Sequence, residues 1–152
     1  MKSTAVVFDR PKQLSLQALE LPEVKVGQLE VAVQYSGIST GAERMLWDGS
    51  LSALPGMDYP LVPGFETFGQ VAKAYKGSSL KEGDMVFVPG ANCFSGVKSM
   101  HGGAASRLVV SDQLVLPVSD QLGVDAVLLA LAATAYHACL LYTSPSPRDA
   151  HE

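Results

Sequence analysis

At 152 residues the chain has room for one domain of ordinary size and the beginning of a second. Hydrophobic residues make up 47% and charged residues 17%, a balance that belongs to globular proteins and excludes disorder over most of the length. The net charge of -4 is scattered along the chain without a basic face, so nucleic acid is excluded as an expected partner.

Near the N-terminus only Ala5–Phe8 is apolar before Asp9 and Arg10 follow, too short a run for the core of a signal peptide, and a cytoplasmic location is expected. From Thr4 to about Val118 short β-rich runs alternate with turn residues, the pattern of an antiparallel sandwich or barrel. Strands are expected at Thr4–Phe8, Leu14–Glu20 and Leu29–Ser36. In the third, Leu29, Val31, Val33 and Tyr35 alternate with Glu30, Ala32, Gln34 and Ser36, which predicts one face on the core and one toward solvent. Phe65–Tyr75 reads as a longer strand in which Gly69 marks a bulge or a close backbone approach. Lys81–Asp84 supplies a turn, and Met85–Val88, Ser106–Val110 and Leu114–Leu116 complete the set.

After Pro117 the β-branched residues thin out and Ala and Leu take over, which predicts one helix over Gln121–Leu140 capped by Ser119 or Asp120. The apolar run Ala126–Tyr142 is interrupted by Thr134, Tyr136 and His137. It falls short of the ~18 clean residues of a membrane span and reads as a buried helix. Cys93 and Cys139 are far apart without a CxxC spacing and are expected to remain thiols. The stretch from Cys139 to Asp149, CLLYTSPSPRD, resembles the translation of a transposase adapter used in sequencing libraries. Residues 139–152 are therefore expected to be a non-native tail, with no function and no fixed contacts.

Three stretches bear on chemistry: Ser36-Gly37-Ile38-Ser39-Thr40, Gly64-Phe65-Glu66-Thr67-Phe68-Gly69-Gln70-Val71 and Gly83-Asp84-Met85-Val86. In order and spacing they are similar to the GIC, GHExxGxV and GDxV motifs of the zinc-type alcohol dehydrogenases, members of the medium-chain dehydrogenase/reductase superfamily. Gly102–Val110 and Leu131–Tyr136 resemble two further segments of the same family, so the likeness extends from residue 4 to about 138. It implies a GroES-like twisted antiparallel barrel over 1–118 and, over 119–138, the linker helix that begins a Rossmann cofactor domain. No GxGxxG lies after Leu140 and none opens a helix after a strand before it, so that domain is expected to be missing from these residues.

GISTGAER at 37–44, PGMDYPLVPG at 55–64, FVPGANCF at 87–94 and LLALAATA at 128–135 resemble a narrower branch, the bacteriochlorophyllide dehydrogenases. That resemblance implies oxidation of a pigment's 3-(1-hydroxyethyl) group to 3-acetyl in bacteriochlorophyll biosynthesis, with NAD taking the hydride. It also makes the full-length protein a candidate homo-oligomer. A zinc-independent relative acting on another alcohol or quinone is an alternative. So is a stand-alone GroES-like binding module, against which the Gln121–Leu140 helix argues, because a self-contained module has no use for it.

The metal chemistry departs from the larger family. A catalytic zinc needs a thiolate and an imidazole, whereas Ser39 and Phe65 stand in those positions and Glu66 alone remains of the family's ligands. No zinc is expected. Without a Lewis acid the substrate hydroxyl proton still needs a path, and Thr40, Ser39 and Glu43 are candidates for a relay. Equally, Ser39 and Thr40 could bond local backbone in a turn while Glu43 caps a short helix. Glu66 is either catalytic or held in a hydrogen-bond network beneath the site. His101 is either an acid/base group near the pigment or an exposed loop residue. Met45, Leu46, Trp47 and Met57 are candidates for an apolar wall against a tetrapyrrole, with plain core roles as the alternative. The family resemblance places Thr134 against the nicotinamide; His137 and His151 carry no role.

Overall fold

Residues 1–51 and 58–143 are described in a computed structural model of the chain. The fold starts with a hairpin, β1 (Lys2–Arg10) and β2 (Gln13–Glu20), in register from Lys2 opposite Glu20 to Phe8 opposite Leu14. Because side chains alternate across a strand, Ser3, Ala5 and Val7 of β1 point into the core while Thr4, Val6 and Phe8 take the other face. β3 (Gln28–Ser36) follows, then α1 (Ala42–Asp48), β4 (Leu61–Val62), β5 (Thr67–Ala74), β6 (Met85–Val88), β7 (Lys98–Ser99), β8 (Arg107–Ser111) and β9 (Leu116–Pro117).

The strands form two sheets, in the orders β2-β1-β4-β7 and β8-β3-β5-β6-β9. The sheets are joined where Ala5 bridges Ala105 and where Val6 and Thr4 exchange backbone hydrogen bonds with Ala104 and Ser106. Between them lie Val7, Val31, Val71, Val86 and Leu108, all fully buried, and this apolar contact is what holds the layers together. The mainly β, largely antiparallel architecture is the one expected. The short β4–β7 pair is parallel and was not anticipated, since a two-residue strand leaves no periodic signal.

Gly69 meets both of its expectations. A side chain there would bring a Cβ within 2.4 Å of the Ala32 carbonyl oxygen, and the β3–β5 register shifts between Val33 and Tyr35 beside it. That shift corrects the expected alternation of β3. Tyr35 is turned out and stacks on Phe68 at 6.3 Å, while Glu30, expected in solvent, is buried and paired to Arg107 at 2.6 Å. A carboxylate tolerates such burial only with a close cationic partner.

The expected single helix over 121–140 is two elements. Ser119 accepts a hydrogen bond from the Gln121 N–H, as anticipated for a cap, and begins a 3-10 segment, Asp120–Leu128, that is broken at Gly123 (φ 50, ψ -130). That is a conformation only glycine adopts readily. α2 (Leu129–Thr143) then continues across Cys139; the remainder of the expected tail, 144–152, lies outside the described residues. The helix is not buried, contrary to expectation: Ala126 alone is in the core, and Leu131 (50% exposed), Tyr136 (66%) and Leu141 (68%) face outward. The stretch Asp120–Tyr142, which contains an 18-residue window of mean hydropathy 1.8, is also long and apolar enough to cross a membrane by length and composition. The expectation that it is too short is corrected on that count.

Candidate active site

β3 ends at Ser36 and delivers the chain into the loop 37–41, which is pinned from below. The Gly37 N–H donates to the Glu66 carbonyl at 2.7 Å, and a Cβ on Gly37 would lie 2.4 Å from Glu66 Oε2, so only glycine lets the loop sit this low. The loop then turns into α1 through two reciprocal bonds. Ser39 Oγ accepts from the Ala42 N–H at 3.2 Å, and Glu43 Oε2 accepts from the Ser39 N–H at 3.0 Å. Ser39 thus bonds local backbone in the turn, and Glu43 bonds back to it from the first turn of α1, whose N-cap, Gly41, has no side-chain bond. Thr40 makes no such bond: its hydroxyl has no protein partner among the described residues.

These three residues meet at an open cleft of about 780 Å³ whose other walls are largely apolar. β1 and β2 supply one wall, with Val6 opposite Leu16 and Phe8 opposite Leu14, and Leu14 (52% exposed) and Leu16 (71%) face the opening. Ile38 and Trp47 line it as well, the Trp47 ring standing edge-on to Phe8 at a centroid distance of 5.9 Å. Burial pushes the Glu43 carboxyl above its ordinary range, and the nearby charge of Glu66 adds to the rise, against hydrogen bonds from Ser39 that lower it. A carboxylate made more basic in this way, next to a hydroxyl, is a reasonable proton acceptor.

The other candidates fall elsewhere. Glu66 is buried behind Gly37 and does not line the cleft, and its Oε1 has no hydrogen-bond partner among the described residues. His101 is exposed, with φ 66. Its ring lies 5.4 Å from that of Phe65, and it opens onto a separate cavity of about 470 Å³ beside Asn92 and Ser99. Of the two readings held open for His101, it stands here as an exposed loop residue, away from the cleft that Thr40 lines. Thr134 donates to the Ala130 carbonyl at 2.9 Å within α2 and touches neither cavity. Of the proposed apolar wall Trp47 alone is in place. Leu46 packs into the core with Phe8 and Leu61, Met45 is exposed away from the cleft lining, and Met57 lies outside the described residues. Leu14, Leu16, Ile38 and Arg44 were missed. The alternation of Leu14 and Leu16 was legible, but only the position of β2 at a sheet edge shows that they face a cleft.

The residues present do not fit a catalytic zinc. Ser39 Oγ already accepts a backbone N–H, Phe65 presents a ring to His101, and no three His, Cys, Asp or Glu side chains converge among the described residues.

The model of the alcohol dehydrogenase GroES-like domain matches residues 25–120. The chain belongs to this family. Within it, the 2-desacetyl-2-hydroxyethyl bacteriochlorophyllide A dehydrogenase of Rhodobacter capsulatus is 43% identical over 148 residues, covering 97% of this chain and 47% of that protein. The protein of the same name from Cereibacter sphaeroides is 41% identical over 143 residues, 91% of this chain and 45% of its own length. This chain thus spans about half the length of the curated relatives it matches. In fold, the GroES-like domain and its helix resemble an oxidoreductase/dehydrogenase of unknown specificity from Escherichia coli. That match has a TM-score of 0.76 and 22% identity, over 96% of this chain and 49% of the other.

Proposed function

We propose that these residues form the substrate-binding half of an NAD-dependent, zinc-independent alcohol dehydrogenase of the cytoplasm. The full-length protein would oxidise the 3-(1-hydroxyethyl) group of a bacteriochlorophyllide to 3-acetyl. The observation that carries the reading is the cleft: an apolar space with one polar corner lined by Thr40, whose hydroxyl has no partner among the described residues, with Ser39 and with Glu43, whose carboxyl is pushed up by burial. A flat pigment is held by the apolar walls and its alcohol is turned to that corner. The hydride of the alcohol carbon would go to NAD, the acceptor that a cofactor domain would supply. The hydroxyl proton passes to Thr40 or Ser39 and on to Glu43 while the carbonyl forms, which closes the balance of charge without a metal. The exposed apolar face of α2 supports the same reading, since a helix leading into a second domain is covered only when that domain is present. Thr134 is proposed to approach the cofactor from there.

Full-length protein, this chain continued to the length of its relatives, should reduce NAD when given the 3-hydroxyethyl pigment, followed by NADH absorbance. The 152 residues alone should not, because they contain no dinucleotide-binding motif. Absence of NADH formation by the full-length protein would remove the reading. Elemental analysis of the same chelator-free preparation should give far less than one zinc per chain. A full equivalent, lost on Glu66→Gln, would show that the donor set was misjudged.

A further inference from the structure

The cleft has one basic residue among its described lining, Arg44, and the mechanism above leaves it without a task. Arg44 lies in the first turn of α1, three residues before Trp47, so the two share the helix face turned to the cleft. Its neighbours do not neutralise it. Glu43 is turned inward and bound to the Ser39 N–H. Asp48, one turn on, accepts from the Ser50 N–H at 2.8 Å and feels Arg44 only as a more distant charge. No ion pair to Arg44 forms among the described residues. A guanidinium left unpaired beside an apolar surface is suited to one class of ligand group, a planar anion that takes two of its N–H donors at once.

We infer that Arg44 anchors a carboxylate of the substrate, so that the cleft selects a pigment whose propionate is free over one whose propionate is esterified. The inference rests on the pigment reading above. It fits the chemistry of the macrocycle, where the 3-substituent and the propionate sit on adjacent pyrrole rings. Thr40 and Arg44 line the same cleft, so both substituents of one pigment can be met there. Arg44 is then a specificity residue that binds substrate and takes no part in proton transfer.

The test is steady-state kinetics of full-length protein on the free acid and on its propionate methyl ester, for the wild type, Arg44→Gln and Arg44→Lys. An exposed charge-assisted contact is expected to give the wild type a KM for the acid about tenfold below that for the ester. Arg44→Gln should raise the acid's KM about tenfold and erase the preference, and Arg44→Lys, which keeps the charge but not the fork, should restore part of it. The effect belongs in KM and not in kcat. An acid-to-ester ratio that Arg44→Gln leaves unchanged overturns the anchor while the dehydrogenase reading stands. A wild type that oxidises neither pigment overturns both.

Discussion

Thr40→Val in the full-length protein is expected to lower turnover by about 10²-fold while leaving pigment affinity nearly unchanged. Valine keeps the branched shape and removes a hydroxyl at the cleft that has no other bond among the described residues. The neighbouring hydroxyl is a poorer subject for the same experiment. Ser39→Ala would also remove the acceptor of the Ala42 N–H and disturb the bond from the Ser39 N–H to Glu43, so a loss of rate would mix lost chemistry with a lost cap. Separate measurement of kcat and KM decides the point. If kcat is unchanged in Thr40→Val, the proton does not travel through Thr40, and Glu43 receives it through Ser39.

The second large effect concerns folding. Gly69→Ala is expected to destabilise the domain by about 3 kcal/mol, because the new methyl would be driven into backbone, 2.4 Å from the Ala32 oxygen and 2.9 Å from Val33 Cα. A flexible side chain could step aside; β3 cannot, being paired to β5 from Leu29 to Ser36 and to β8 from Gln28 to Ala32. In a domain of this size such a loss lowers the melting temperature by roughly 10 °C. Circular dichroism melting of the two proteins measures it. A variant melting within about 2 °C of the wild type would show that the two strands can part at little cost, and that the close approach is not a constraint.

Much of the architecture was legible in the residues because it depends on local rules. The strands β1, β2 and β6, the Lys81–Asp84 turn and the Ser119 cap are each set by neighbours a few positions away. Gly69 could be singled out because an isolated glycine in a strand has few other uses. Motif order alone brought Ser39, Thr40 and Glu43 forward together, and they do stand together at the cleft. What only the tertiary structure decided involves partners distant in sequence. Glu30 is buried and paired to Arg107 on the neighbouring strand β8, 77 positions on, and no periodicity reports a paired charge. Leu14 and Leu16 were brought beside Thr40, and His101 left on a separate cavity, by the way the two sheets pack. Gly123 broke the expected helix because a run of helix-forming residues cannot reveal where one backbone must turn. The apolar run after it looked buried because composition records how much surface a helix would hide, while only the packed structure shows whether anything in this chain covers it.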